Sequence, residues 1–234
     1  MLKFYYSLAP NPRKVALFLE EAGLPYEAIP VDTRKGEQHA PEFTAINPNA
    51  KVPAIVDGDT VVFDSSAILL YLAESTGKFL PTPKSRGQML SWLMFTASGI
   101  GPFTGQCVHF RRYAPESNPY SLNRYDYEAR RHWKLIEQRL VNRTWMLDER
   151  YTLLDMAVWG WARSLPWALG DGAWDELPNV KSFVDRIDAR PAAKRAIALQ
   201  DRYTFKTEMD EEAQRAMFPQ NERLKTMQRG PSAA

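Results

Sequence analysis

The stretch "KVPAIVDGDTVVFDSSAILLYLAE", residues 51–74, decides the fold. "VPAIV" and "TVVFD" are β-prone runs joined by "DGD", a strong hairpin signal. "SSAILLYLAESTG" follows as a helix, with Ser65 as its expected N-cap and Gly77 as its stop. Upstream, "LKFYYS" is a strand that runs into the loop "LAPNPRK". Val15, Phe18, Leu19 and Ala22 then recur at helical spacing, and Gly23 suits the helix end. "YEAIPVD" is a second strand, and the polar run "RKGEQHAPEFTAINPNA" has room for a short helix at "PEFTAI". The order is β-α-β-loop-β-β-α. It implies a parallel pair with a right-handed crossover, extended by an antiparallel hairpin.

Downstream, residues 1–78 give way at the Pro-rich "LPTPKS" to a different texture, which places a linker at 79–84. Strand signals nearly vanish over 85–203. "RGQMLSWLMFTASGIGPFTGQCVHFRRY" is a long helix candidate interrupted by Gly99, Gly101, Pro102 and Gly105, and Pro102 should kink it or begin a new segment. Leu122, Tyr125, His132, Leu135, Ile136 and Leu140 mark the apolar stripe of another helix. "LLDMAVWGWARSLPWAL" and "VKSFVDRIDARPAAKRAIAL" supply more. Residues 204–234 form a polar tail in which "EEAQRAMF" has helical character.

Composition narrows the function classes. A chain of 234 residues with 44% hydrophobic and 25% charged residues is an ordinary globular protein. A net charge of +2 without a basic run gives no nucleic-acid footprint. The apolar runs fall short of the roughly 20 residues that span a bilayer, and the N-terminus carries no signal-peptide pattern. A single cysteine, Cys107, excludes an internal disulfide and a CxxC motif, so the expected compartment is the reducing cytoplasm.

Several residues have both a structural and a chemical reading. Pro53 stands before a strand, where proline's missing N–H is harmless. Alternatively, Val52–Pro53 is a cis peptide that turns the Val52 backbone outward, to pair with an extended peptide ligand. The helix start at Ser65 offers free N–H groups to an anion, and Asp64 offers a carboxylate to an amine. Together they would suit the head of an amino acid. Thr152 and Asp155 have capping-box spacing and read as folding residues. His39, His109 and His132 lack metal-ligand spacing, so no metal is expected. Cys107 reads as a core residue, while Trp161 and Trp167 are candidates to line an apolar pocket.

These pieces together resemble the glutathione transferase family over roughly residues 2–200. The likeness rests on the 51–74 stretch, the helical second half and "YTLLDMAVW". Within that family the chain is most similar to the bacterial nu class of disulfide-bond oxidoreductases, through "NPRKVALFLEEAGLPYE", "GIGPFTGQCVHF" and "APESNPYSLNRY". The resemblance implies a thioredoxin-like N-terminal domain, an all-helical C-terminal domain, glutathione as co-substrate and a homodimer. It implies that Asn11 contacts the glutathione thiol and that Gln38 and Lys51 lie by the glycyl end. Val52 would hold the cysteinyl backbone, with Pro53 among the glutathione-binding residues, Asp64 and Ser65 would hold the γ-glutamyl head, and Arg124 would reach the site from the partner subunit. Ala9 departs from the class, which has Thr there. The nucleophile would be glutathione's own thiol, with Asn11 as N-cap and Pro12 as first residue of a helix that lowers the thiol pKa. The implied activity is reduction of disulfides or peroxides, or conjugation of electrophiles. The alternative is a catalytically weak binding or regulatory module.

Overall fold

β1 (Leu2–Tyr6) points Leu2, Phe4 and Tyr6 into the core and turns Lys3 and Tyr5 to the other face, the two-residue period of a strand. The computed structural model describes residues 1–147 and 150–228. Part of the predicted tail, 229–234, lies outside the described residues.

α1 (Pro10–Ala22) buries Val15, Phe18, Leu19 and Ala22 and ends at Gly23, whose φ of 65° is the left-handed stop anticipated from the sequence. β2 (Tyr26–Pro30) pairs parallel to β1, with Phe4 opposite Ala28. A short helix, α2 (Pro41–Thr44), precedes β3 (Ala54–Asp57), which pairs antiparallel to β1. β4 (Thr60–Phe63) completes the predicted hairpin, and the sheet order is β2-β1-β3-β4. α3 (Ser65–Thr76) packs beside α1, while Phe43 of α2 joins Val31 and Ala54 in a separate small cluster.

The second half is helical. α4 (Arg86–Phe95) runs into a wide π turn, Thr96–Ile100, and then into α5 (Gly101–Arg112), with Pro102 in its first turn. Gly99 allows the wide turn to approach α6 (Pro119–Arg139): a Cβ there would stand 2.7 Å from the His132 ring. α6 buries Ala129, His132, Trp133 and Ile136, but Leu135 is 37% exposed. The predicted stripe is therefore corrected at one of its members, with Trp133 buried and Leu135 left out.

α7 (Leu153–Ala162) is capped as its sequence implied, with Asp155 accepting from the Thr152 N–H at 2.7 Å and from the Thr152 hydroxyl at 3.0 Å. The chain breaks before Pro166 and again at Pro191, because proline removes a helical N–H and clashes with the preceding turn. With further breaks at Gly170 and before Pro178, the chain forms α8 (Leu165–Leu169), α9 (Ala173–Glu176), α10 (Pro178–Asp188) and α11 (Pro191–Ile197). α12 (Glu211–Met217) and α13 (Gln220–Gln228) follow.

The tail packs against both halves of the chain. Phe205 meets Tyr6 edge-on, and the Lys206 N–H donates to Asp32 Oδ2 at 2.7 Å. Phe218 packs on His109 and Tyr113 at the end of α5. No described helix is long and apolar enough to cross a membrane.

Candidate functional site

α1 starts earlier than its sequence suggested. Ala9 is the N-cap, with extended backbone, so Asn11 is the second helical residue and not the cap. Pro12 is third, not first. Both prolines fit because the first-turn N–H groups have no intrahelical partner. Ala9 has no side chain able to cap the helix. With Pro10 and Pro12 lacking N–H groups, Asn11 becomes the main donor at this helix end.

The Asn11 amide is oriented by α7. The Trp161 indole N–H donates to Asn11 Oδ1 at 2.9 Å. An indole nitrogen is a donor only, so the oxygen must face it and Nδ2 must point elsewhere. Nδ2 has no acceptor among the described residues.

At the start of α3 the cap is Asp64, not Ser65. Its Oδ1 accepts from the Ser66 N–H at 2.8 Å and the Ala67 N–H at 3.1 Å. These bonds hold Asp64 at φ 70°, a conformation uncommon outside glycine. Ser65 becomes the first helical residue, buried, with its Oγ accepting from Lys14 Nζ at 3.3 Å. Burial lowers the Lys14 ammonium to about 8, partly opposed by the charge of Asp64.

Asn11, Lys14, Asp64 and Ser65 meet at one cleft of about 270 Å³, and the helical half closes it with Pro102, Gln106 and Trp161. Trp161 thus lines a pocket as its sequence suggested. Trp167 does not: it is 43% exposed and lies under Arg112. Cys107 is buried away from the cleft, beside Asp126 and the Ala168 carbonyl, and its thiol is pushed up chiefly by burial. No protein thiol therefore faces this space.

The other sequence candidates are not walls of the cleft. Gln38 is buried and its Nε2 donates to the Ala216 carbonyl of α12 at 3.0 Å, while its Oε1 has no partner among the described residues. Lys51 is exposed, with its carbonyl accepting from Asn47 Nδ2. The Val52–Pro53 peptide is cis and Pro53 is buried ahead of β3. Arg124 on α6 pairs with Glu128 at 3.1 Å and is more than half exposed. Among the described residues, no group of His, Cys, Asp and Glu could hold a metal.

Lys14 was missed in reading the sequence. The signal was there: Asn11, Lys14, Phe18 and Ala22 share one face of α1 by their spacing. A lysine in line with core positions is one whose stem must be buried.

The cleft thus joins a fixed amide donor and a cation on α1 to a serine and a carboxylate at the start of α3. Such a site can take a zwitterionic head and an anionic sulfur together.

Comparison with known proteins gives matches across both halves. Residues 9–75 match the family described as "Glutathione S-transferase, N-terminal domain", and residues 114–198 match "Glutathione S-transferase, C-terminal domain". "Disulfide-bond oxidoreductase YfcG" of Escherichia coli (strain K12) is 42% identical over 205 residues, covering 84% of this chain and 94% of that protein. A glutathione transferase family member from Pseudomonas fluorescens pf-5, solved with two glutathione bound, is 37% identical with a TM-score of 0.80, over 84% of this chain and 92% of that one. A glutathione transferase from Pseudomonas putida, solved with one glutathione disulfide bound per subunit, is 34% identical with a TM-score of 0.80, over 85% and 91%.

Proposed function

The chain belongs to the glutathione S-transferase family, and from that membership we propose a glutathione-dependent oxidoreductase that reduces disulfides through the thiol of bound glutathione. The observation that carries the reading is the oriented Asn11 amide at a helix start, on a cleft without a protein thiol. Nδ2 and the positive end of α1 favour the thiolate over the thiol. That thiolate attacks one sulfur of a substrate disulfide. A mixed disulfide forms, the old S–S bond breaks, and the departing thiolate takes a proton. A second glutathione then attacks the mixed disulfide, giving glutathione disulfide and the second reduced thiol. The relatives solved with two glutathiones, or with glutathione disulfide, support a site with room for both. The same thiolate would serve peroxide reduction or conjugation of electrophiles. Ala9 offers no hydroxyl, so activation rests on Asn11 and the helix.

In this reading the first 78 residues bind glutathione and 85–203 form the wall for the second substrate. Asp64 and Ser65 hold the γ-glutamyl head, Val52, set by the bond to Pro53, the cysteinyl backbone, and Gln38 and Lys51 the glycyl end. Arg124 acts from the partner subunit of a cytoplasmic, nu-class homodimer. Retention on immobilised glutathione followed by turnover on a small disulfide tests the whole. Binding without turnover on disulfide, peroxide or aryl halide would replace the enzyme with a binding module.

Two further outcomes are expected. Trp161→Phe keeps an aromatic ring but removes the N–H and frees the Asn11 amide to rotate, so turnover should fall about three- to tenfold, the effect of one hydrogen bond, with glutathione affinity nearly unchanged. Equal turnover in this variant would show that Asn11 needs no orienting partner. Heterodimers of Arg124→Ala and Asn11→Ala subunits should regain about half the activity, because a residue reaching across the two-fold axis leaves one site intact. Arg124 acting within its own subunit would leave no site intact.

A further inference from the structure

Lys14 lies one turn beyond Asn11 on α1 and is 1% exposed. An ammonium has three donor hydrogens and no acceptor. One is engaged, on Ser65 Oγ at 3.3 Å, and among the described residues no carboxylate lies within ion-pairing distance of it. Burying such a charge is costly unless something answers it. The fold nonetheless makes room for it: a Cβ at Gly160 would stand 2.4 Å from Lys14 Cγ and 2.7 Å from the Pro10 carbonyl. An apolar side chain would fill the same space without the charge.

The ammonium has a consequence for Ser65. A hydroxyl oxygen that accepts from a cation keeps its own hydrogen for another acceptor. The Ser65 N–H lies beside it at the start of α3, while the next two N–H groups are already taken by Asp64 Oδ1. A hydroxyl, a backbone N–H and a buried positive charge therefore converge at the cleft. Asp64 Oδ2, left free by the cap, stands ready for an amine.

We infer that Lys14 is the counter-charge for the α-carboxylate of the γ-glutamyl head, acting beside the Ser65 hydroxyl that it turns into a donor. This rests on the glutathione reading above. It concerns the head of the ligand and leaves the sulfur to Asn11.

The test compares three ligands by calorimetry: glutathione, glutaryl-cysteinylglycine, which lacks the amine, and 4-aminobutyryl-cysteinylglycine, which lacks the α-carboxylate. In the wild-type protein the 4-aminobutyryl peptide is expected to bind at least about tenfold more weakly than glutathione, the effect of losing a charge-assisted contact. Lys14→Met should weaken glutathione and the glutaryl peptide by about tenfold or more and leave the 4-aminobutyryl peptide within about twofold. Lys14→Gln, which stays polar without the charge, should show the same pattern and serves if the Met variant does not fold. Equal losses on all three ligands would mark Lys14 as a packing residue and overturn the assignment, as would no loss on any. A wild-type protein that binds glutathione and the 4-aminobutyryl peptide equally well would overturn it without any variant. A wild-type protein that binds none of the three would overturn the functional reading itself.

Discussion

Asn11→Ala is expected to cut turnover about ten- to hundredfold while changing glutathione affinity by less than about threefold. A hydrogen bond to a charged group contributes about 1.5–3 kcal/mol, and here that group is the thiolate, which forms only on ionisation. The ultraviolet absorbance of the bound thiolate should titrate at higher pH in the variant. Asn11→Asp sharpens the test. Its carboxylate can still accept from the Trp161 N–H, as Oδ1 does at 2.9 Å, but it offers the sulfur a negative charge in place of a donor. Its loss should be at least as large. An unmoved titration in both variants would show that the amide serves packing between α1 and α7 and not the sulfur.

Asp155→Ala is expected to destabilise the fold by about 3–5 kcal/mol, because the carboxylate is fully buried and accepts from Met146 N–H at 2.8 Å, Thr152 N–H at 2.7 Å and the Thr152 hydroxyl at 3.0 Å. For a chain of this size that amounts to a melting temperature lower by about 10 °C. The residue should also leave a mark on the pH dependence. Burial raises its carboxyl from 3.8 to about 7, against the pull of those donors. Between those values the folded chain holds a proton that the unfolded chain has released. Its contribution to stability is then present at acid pH and lost as pH rises through about 7, at no more than about 1.4 kcal/mol per pH unit. Asp155→Asn should remove that slope while costing less than alanine. A melting temperature unchanged in the alanine variant would show that the start of α7 holds without this cap.

The thioredoxin-like half was legible because its signals are local. The "DGD" hairpin, Gly23 and Gly77 are each decided by a few neighbouring residues, and each stands where the sequence put it. Helix starts were misplaced by one or two residues for the same reason that they matter chemically. Asp64 and Ser65 are both good caps, and only the positive φ at Asp64 decides between them. At Asn11 two flanking prolines fit more than one register. Other features depend on partners far along the chain. The Trp161 contact spans 150 residues, and the space for Lys14 is made by Gly160. No periodicity in α1 reports what α7 omits. The tail looked merely polar because its anchors, Phe205, Ala213 and Phe218, are spaced too widely to form a stripe.

The contact between that tail and Gln38 changes what a binding constant at this site would mean. Under the proposed assignment, a ligand's glycyl end shares the Gln38 amide with the Ala216 carbonyl, which already accepts one of its two Nε2 hydrogens and is carried on the same molecule. Such an acceptor is never diluted, so the ligand competes with a rival at constant local concentration. Measured affinity at that end then depends on the fraction of molecules in which the tail is seated and fixes the orientation of the amide. Substitutions along α12 that touch no ligand atom, at Ala213 for instance, which is fully buried, would tune that fraction. Under that assignment the chain would carry its own competitor for the glycyl end, and the strength of that competitor would be set far from the chemistry.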